Sequence, residues 1–200
     1  RDDVESRGLG DVYKRQVIFS GDIGNVDKPI IRDPQPVPPA DYVVMESTYG
    51  DRLHETGEDV PKDLSEIIDR TLARGGNVVI PAFAVGRTQE LLYYIKRFLV
   101  NGTVPGLEKV PVYIDSPLGI KATRIYAGCG ADCYDDETKA LARSGDLFEF
   151  DSLHIAETVE QSMEINELTG CNIIISASGM CEAGRIRHHL KNNLYKANAT

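Results

Sequence analysis

Two hundred residues, 42% of them hydrophobic, suit one or two globular domains with a sizeable core. No apolar run approaches the ~18–20 residues of a membrane span. The charged start Arg1-Asp2-Asp3-Val4-Glu5 has no apolar segment behind it, so it does not read as a signal peptide. A net charge of −9, from 22 basic and 31 acidic residues, opposes polyanion binding unless cations gather locally.

In chain order, Arg1 to Gln16 is polar and lacks apolar periodicity. Its tail, Gly8-Leu9-Gly10-Asp11-Val12-Tyr13-Lys14-Arg15-Gln16, reads as translated cloning DNA, so the natural sequence is expected to be interrupted just before Val17. Val17-Ile18-Phe19 then reads as a short strand ending at Ser20-Gly21-Asp22. A crossing with Pro29, Pro34, Pro36, Pro38 and Pro39 is too proline-rich for helix or central strand. Tyr42-Val43-Val44-Met45 is the next strand, ending at Glu46. Leu64, Ile67, Ile68 and Leu72 mark an amphipathic helix closed by Gly75-Gly76.

Val78-Val79-Ile80 is a strand that passes through Pro81-Ala82-Phe83-Ala84-Val85-Gly86-Arg87 into a helix with Leu91, Leu92, Ile95, Phe98 and Leu99 on one face. Val110 to Ile114 is a strand ending in Asp115-Ser116-Pro117. Helices are expected over Ile120 to Tyr126, Glu137 to Arg143 (ended by Ser144-Gly145) and Val159 to Leu168, with His154 in a loop. The final strand, Ile173-Ile174-Ile175, empties through Ser176-Ala177-Ser178-Gly179-Met180 into a helix bearing Arg185, Arg187, His188 and His189. Strands alternating with helices mean parallel β-α units and a layered α/β fold, whose chemistry gathers at the carboxyl ends of the strands.

All five expected strands end in polar residues or small-residue loops, which points to a site. Asp22, projecting from a glycine-flanked turn, suits a hard oxygen ligand to a metal, and equally a turn carboxylate capping local N–H groups. Glu46 suits a carboxylate that orients a histidine, while Ser47 and Thr48 also suit plain helix caps. The Gly86-Arg87 and Ser178-Gly179 turns each open a helix, where free N–H groups and the dipole favour an anion. Two such turns suggest a polyanion, with Arg87, Arg185, Arg187 and Lys191 expected to converge on one cleft.

The histidines do not form a metal centre unaided. His188 and His189 are adjacent on a helix and point roughly 100° apart. His154 reads as a surface residue, and His54 either approaches the strand-end site or bonds to its loop neighbours. No H-x-H-x-D-H, H-E-x-x-H, G-x-x-x-x-G-K, strand-linked G-x-G-x-x-G or G-x-S-x-G pattern occurs. Cys129, Cys133, Cys171 and Cys181 lack C-x-x-C spacing. They read as plain thiols of an intracellular, reduced and cytoplasmic protein.

Five segments, taken together, resemble one family: Ser20-Gly21-Asp22; Glu46-Ser47-Thr48-Tyr49-Gly50; Ile80 to Leu91; Asp115-Ser116-Pro117-Leu118; and Ser178-Gly179-Met180. Their order is that of the β-CASP metallo-β-lactamase-fold nucleases of the RNA-processing group, which includes ribonuclease J and the endonuclease subunit of the mRNA 3′-end cleavage complex. The resemblance covers roughly Val17 to Leu194. It implies the end of a metallo-β-lactamase αββα domain over 17–50 and a parallel-sheet α/β β-CASP domain over 51–194. Residues 1–16 are then a non-native leader and 195–200 a truncated tail.

By the same resemblance, Asp22 matches a zinc-bridging ligand, and Glu46 matches the acidic residue that partners an active-site histidine. Gly86, Arg87, Ser178, Gly179 and Arg185 would hold RNA phosphates. The implied activity is hydrolysis of RNA phosphodiester bonds at a two-zinc centre, with single-stranded RNA as partner, no membrane, and homo-oligomerisation left open. The alternatives are a DNA-directed relative and a non-catalytic RNA-binding scaffold. The family's histidine-rich motif is expected upstream of Val17 and its later histidine motifs beyond Leu194. The chain alone is therefore expected to be inactive and to bind zinc weakly.

Overall fold

The computed structural model describes residues 15–53, 59–129, 133–143 and 147–200. Residues 1–14 of the 1–16 leader, His54 and the Ser144-Gly145 helix stop lie outside the described residues. Contacts divide the chain into two compact units: Arg1–Lys28 with Asp33–Thr56, and Pro29–Arg32 with Gly57–Thr200.

The first unit carries two short strands, β1 (Val17–Phe19) and β2 (Tyr42–Val44), paired in parallel with Val17 opposite Tyr42 and Phe19 opposite Val44. Ser20 N–H donates to Val44 O at 2.9 Å, which extends the ladder by one rung and sets both carboxyl ends side by side. The proline-rich crossing between them forms no helix, as its composition requires.

The second unit is a parallel α/β sheet. Its elements are α1 (Val60–Ala73), β3 (Val78–Pro81), α2 (Arg87–Asn101), β4 (Val112–Asp115), α3 (Pro117–Gly128), α4 (Asp136–Arg143), β5 (Leu153–Ile155), α5 (Val159–Ile165), β6 (Ile173–Ser176) and α6 (Ile186–Asn193). The strand order is β3-β6-β4-β5, with every pairing parallel. β6 lies inside the sheet because its Ile173-Ile174-Ile175 run is apolar on both faces, and all three side chains are buried. Burying each contributes about 1.5–3 kcal/mol. α2 buries Leu91, Leu92, Tyr93, Tyr94, Ile95 and Phe98 and ends at Gly102, whose φ of 62° is the left-handed cap glycine favours. Thr200 lies along the outer edge of β3, donating from N–H to Asn77 O at 2.9 Å and accepting from Val79 N–H at 2.8 Å.

Two features differ from the sequence reading. Pro29–Arg32 belongs to the second unit: Ile30 is buried in its core and Ile31 bridges Tyr134. One isoleucine among prolines finds its apolar partners far along the chain. His154 sits in an edge strand rather than a loop, its ring stacked on Tyr113 at 5.1 Å between centroids. Three residues are too few to show alternation, and pairing with β4 supplies their order. α3 ends at Gly128, so Cys129 caps it and Cys133 lies beyond; the four cysteines are free. Among the described residues no helix is long and apolar enough to cross a membrane.

Candidate functional site

In the first unit, the two strand ends form one corner. Gly21 turns at φ 57°, a conformation that costs glycine little, and leaves Asp22 exposed directly after it. Ser20 Oγ donates to Gly21 O at 2.6 Å and accepts from Glu46 N–H at 3.2 Å. Glu46 reaches across: Oε1 accepts from Ile23 N–H at 2.6 Å and Oε2 from Thr48 Oγ1 at 2.6 Å. The Thr48 hydroxyl first, then the Ile23 amide, hold the Glu46 carboxyl below its ordinary value, so it stays anionic. The residue after Asp22 is thus tied to Glu46, and the two carboxylates share this corner.

Asp22 makes no hydrogen bond among the described residues. Among them, too, no three His, Cys, Asp or Glu side chains stand close enough to hold an ion. Asp22 therefore offers one oxygen donor, which does not by itself make a metal site.

In the second unit, the loops after β3, β4 and β6 lie together at the carboxyl end of the sheet. Gln89, fully buried in the first turn of α2, ties the first of these loops to α3. Its Oε1 accepts from Gly86 N–H at 2.7 Å, and its Nε2 donates to Thr123 Oγ1 at 2.8 Å, Ala84 O at 3.2 Å and Gly119 O at 3.4 Å. Gly86 holds φ 84°. Gly179 packs so closely on the first loop that a Cβ there would lie 3.2 Å from the Phe83 ring. The structure therefore brings the Gly86-Arg87 and Ser178-Gly179 turns together.

These turns differ in what they leave open. At the start of α2, Arg87 N–H donates to Val85 O and Thr88 N–H to Phe83 O, both at 3.2 Å. Ser178 N–H is likewise used, by Ala183 O at 3.2 Å. The N–H groups of Phe83, Ala84, Val85, Gly179 and Met180 make no hydrogen bond among the described residues. Arg87 is half exposed and pairs with Glu90 at 2.9 Å. Arg187 and Lys191 are exposed on α6.

Arg185 departs from the expected convergence, because its guanidinium turns inward. Nη1 donates to Asp115 Oδ1 at 2.7 Å and to Ala156 O at 3.0 Å, and Nη2 donates to Glu157 O at 3.0 Å. Asp115 is fully buried, and its Oδ2 also accepts from Ser162 Oγ at 2.5 Å and bonds His189 Nε2 at 2.6 Å. His189, fully buried as well, faces Asn166 Oδ1 from Nδ1 at 3.0 Å. Asn166 Nδ2 donates to Ser162 O at 3.1 Å, which fixes the orientation of that amide. Burial pushes the Asp115 carboxyl up, yet hydrogen bonds from His189, Ser162 and Arg185 together outweigh it and hold the group below its ordinary value.

This cluster joins β4, α5 and α6 directly behind the Ser178–Gly184 loop. Sequence reasoning noted Asp115 as a strand end and His189 as an unsuitable ligand, without pairing them. A signal was present: Ile186, His189 and Asn193 follow helical spacing, and all three are buried. A histidine on the inward stripe needs a buried partner.

The sequence profile of the Beta-Casp domain matches residues 88–200, more than half of the chain. The chain is 36% identical over 181 residues to Ribonuclease TTHA0252 of Thermus thermophilus, covering 90% of this chain and 41% of that protein. It is 34% identical over 117 residues to Cleavage and polyadenylation specificity factor subunit 3-I of Arabidopsis thaliana, covering 58% and 17%. To the RNase J-like protein of Methanocaldococcus jannaschii it is 29% identical over 184 residues, covering 90% and 41%. The chain thus spans about two fifths or less of the length of these relatives. With parallel β-α units, paired glycine turns at the strand ends and this profile over the larger unit, the chain belongs to the β-CASP family.

Proposed function

We propose that the protein containing this chain is a zinc-dependent ribonuclease that hydrolyses RNA phosphodiester bonds in RNA processing or decay. One observation carries the reading: Gly179 packed on Phe83, which sets two glycine turns with unbonded N–H groups side by side at the carboxyl end of a parallel sheet. Such N–H groups suit phosphate oxygens, and Arg87 adds a half-exposed cation on the same loop. Gly86, Ser178 and Gly179 shape the turns. Arg185 acts behind them, holding the second turn through Asp115 rather than touching phosphate.

Asp22 would supply one oxygen donor to zinc, and Glu46, kept anionic, would orient a neighbouring donor. The naming of relatives as ribonuclease and RNase J-like supports RNA as substrate.

The test has two arms. In this chain, Arg87→Ala should weaken binding to a single-stranded RNA at all sequences and lower the slope of log K against log salt by about one. Unchanged affinity and slope in fluorescence anisotropy would make Arg87 a structural residue. In the full-length protein, Asp22→Asn should abolish RNA cleavage and reduce bound zinc measured by mass spectrometry, with the fold intact by circular dichroism. Wild-type turnover and zinc content would remove Asp22 from the metal centre.

A further inference from the structure

The segments that follow β3, β4 and β6 expose apolar side chains at the carboxyl end of the sheet: Phe83 at 55% and Val85 at 57%, Leu118 of α3 at 61%, and Met180 at 63%. A scattered exposed leucine needs no explanation, but Phe83 and Val85, with Met180 next to the Gly179 that packs on Phe83, make a patch. Phe83 is its fixed point. Its carbonyl accepts from Thr88 N–H at 3.2 Å and from Thr88 Oγ1 at 2.8 Å, which pins the backbone. Its ring rests on Gly179, where a Cβ would come within 3.2 Å of Cδ2 and 3.3 Å of Cε2. The absent side chain at Gly179 lets the turn approach the ring, and Phe83 as a whole remains more than half exposed. The fit does not bury the ring. It sets the ring's position at the mouth of the two turns.

From this geometry we infer that Phe83 is a stacking platform for a nucleobase of single-stranded RNA, the inference resting on the RNA-binding reading above. Aromatic rings bind single strands without regard to sequence because every base has a π-face. What selects a base over another apolar occupant is the surroundings. The unbonded N–H groups of Phe83, Ala84, Val85, Gly179 and Met180 and the Arg87 guanidinium lie on the same two loops as the ring. An apolar protein surface would leave those polar groups unpaired and desolvated, whereas a strand brings phosphates for them and a base for the ring. A duplex keeps its bases stacked inside, so the platform favours unpaired RNA.

Two strands of equal length separate base from backbone: a single-stranded oligoribonucleotide and its abasic ribose-phosphate counterpart, each titrated into this chain by fluorescence anisotropy. Wild type should bind the base-bearing strand about tenfold or more tighter than the abasic one. Phe83→Ala should erase that preference, weakening the base-bearing strand about tenfold more than the abasic one, and Phe83→Trp should restore it. A Phe83→Ala variant that keeps the preference overturns the inference. So does one that loses both strands equally, which would make Phe83 a support for the turn, and so does one that changes only the sedimentation of the chain, which would make the patch a protein contact. Arg87→Ala should weaken both strands alike, and if wild type binds neither strand, the RNA reading itself fails and takes the platform with it.

Discussion

A carboxylate with no exposure to water is a liability unless its charge is answered, and Asp115 is answered by Arg185, His189 and Ser162. Removing one member of such a cluster costs more than the cluster contributes, because the others remain buried and unpaired. Asp115→Asn should therefore lower unfolding free energy by about 3–5 kcal/mol, read from urea titration at neutral pH. The pH dependence has a definite sign. The folded-state carboxyl is held below its ordinary value. Its stabilising contribution is complete above about pH 4 and is lost as pH falls through the lowered folded-state value. The gap between wild type and Asp115→Asn should thus narrow on acidification, and a gap constant down to pH 2 would contradict the ion pairing. The position of Asp22 and Glu46 just after neighbouring strands could be read in the sequence, because apolar runs end shortly before them. The inward turn of Arg185 could not, because an arginine opening a helix looks the same whether its head group meets a phosphate or a buried aspartate.

At the scale of the element, the two glycine turns can be told apart by what a methyl group would meet. Gly86 holds φ 84° with nothing within 4 Å of a notional Cβ, so Gly86→Ala carries backbone strain alone. That strain is on the order of 1–3 kcal/mol. Gly184 holds φ 81°, and a Cβ there would lie 2.3 Å from Ala177 O, so Gly184→Ala adds a backbone collision. Thermal unfolding should rank Gly184→Ala below Gly86→Ala, and equal melting temperatures would show that the Ser178–Gly184 loop relaxes freely. The same contrast explains what could be read in advance. The helices announced themselves through apolar spacing, as in Leu91, Leu92, Ile95 and Phe98 of α2. Gln89 shows no such pattern, although its four hydrogen bonds tie the loop after β3 to α3, because those partners lie up to 34 residues away in sequence.

Across the whole molecule, the division into units does not follow the chain in two blocks. Ile30, set between residues of the first unit, is buried in the core of the second. Ile30→Ala should therefore cost the second unit about 2–5 kcal/mol in urea unfolding followed by tyrosine fluorescence; a cost near zero would return Pro29–Arg32 to the first unit. The acidic total of −9 bears on association rather than fold: the RNA binding proposed above would have to be local and weakened by salt. The amino-acid sequence by itself determined the parallel α/β class, the order of its elements and the glycine turns at the strand ends, because apolar periodicity and glycine placement are local properties. The packing of Gly179 on Phe83, the inward Arg185 and the Asp115–His189 pair were decided only by tertiary structure. Those contacts join residues 70 or more apart in sequence, and which partner a polar side chain takes is an energy of burial that no local pattern encodes.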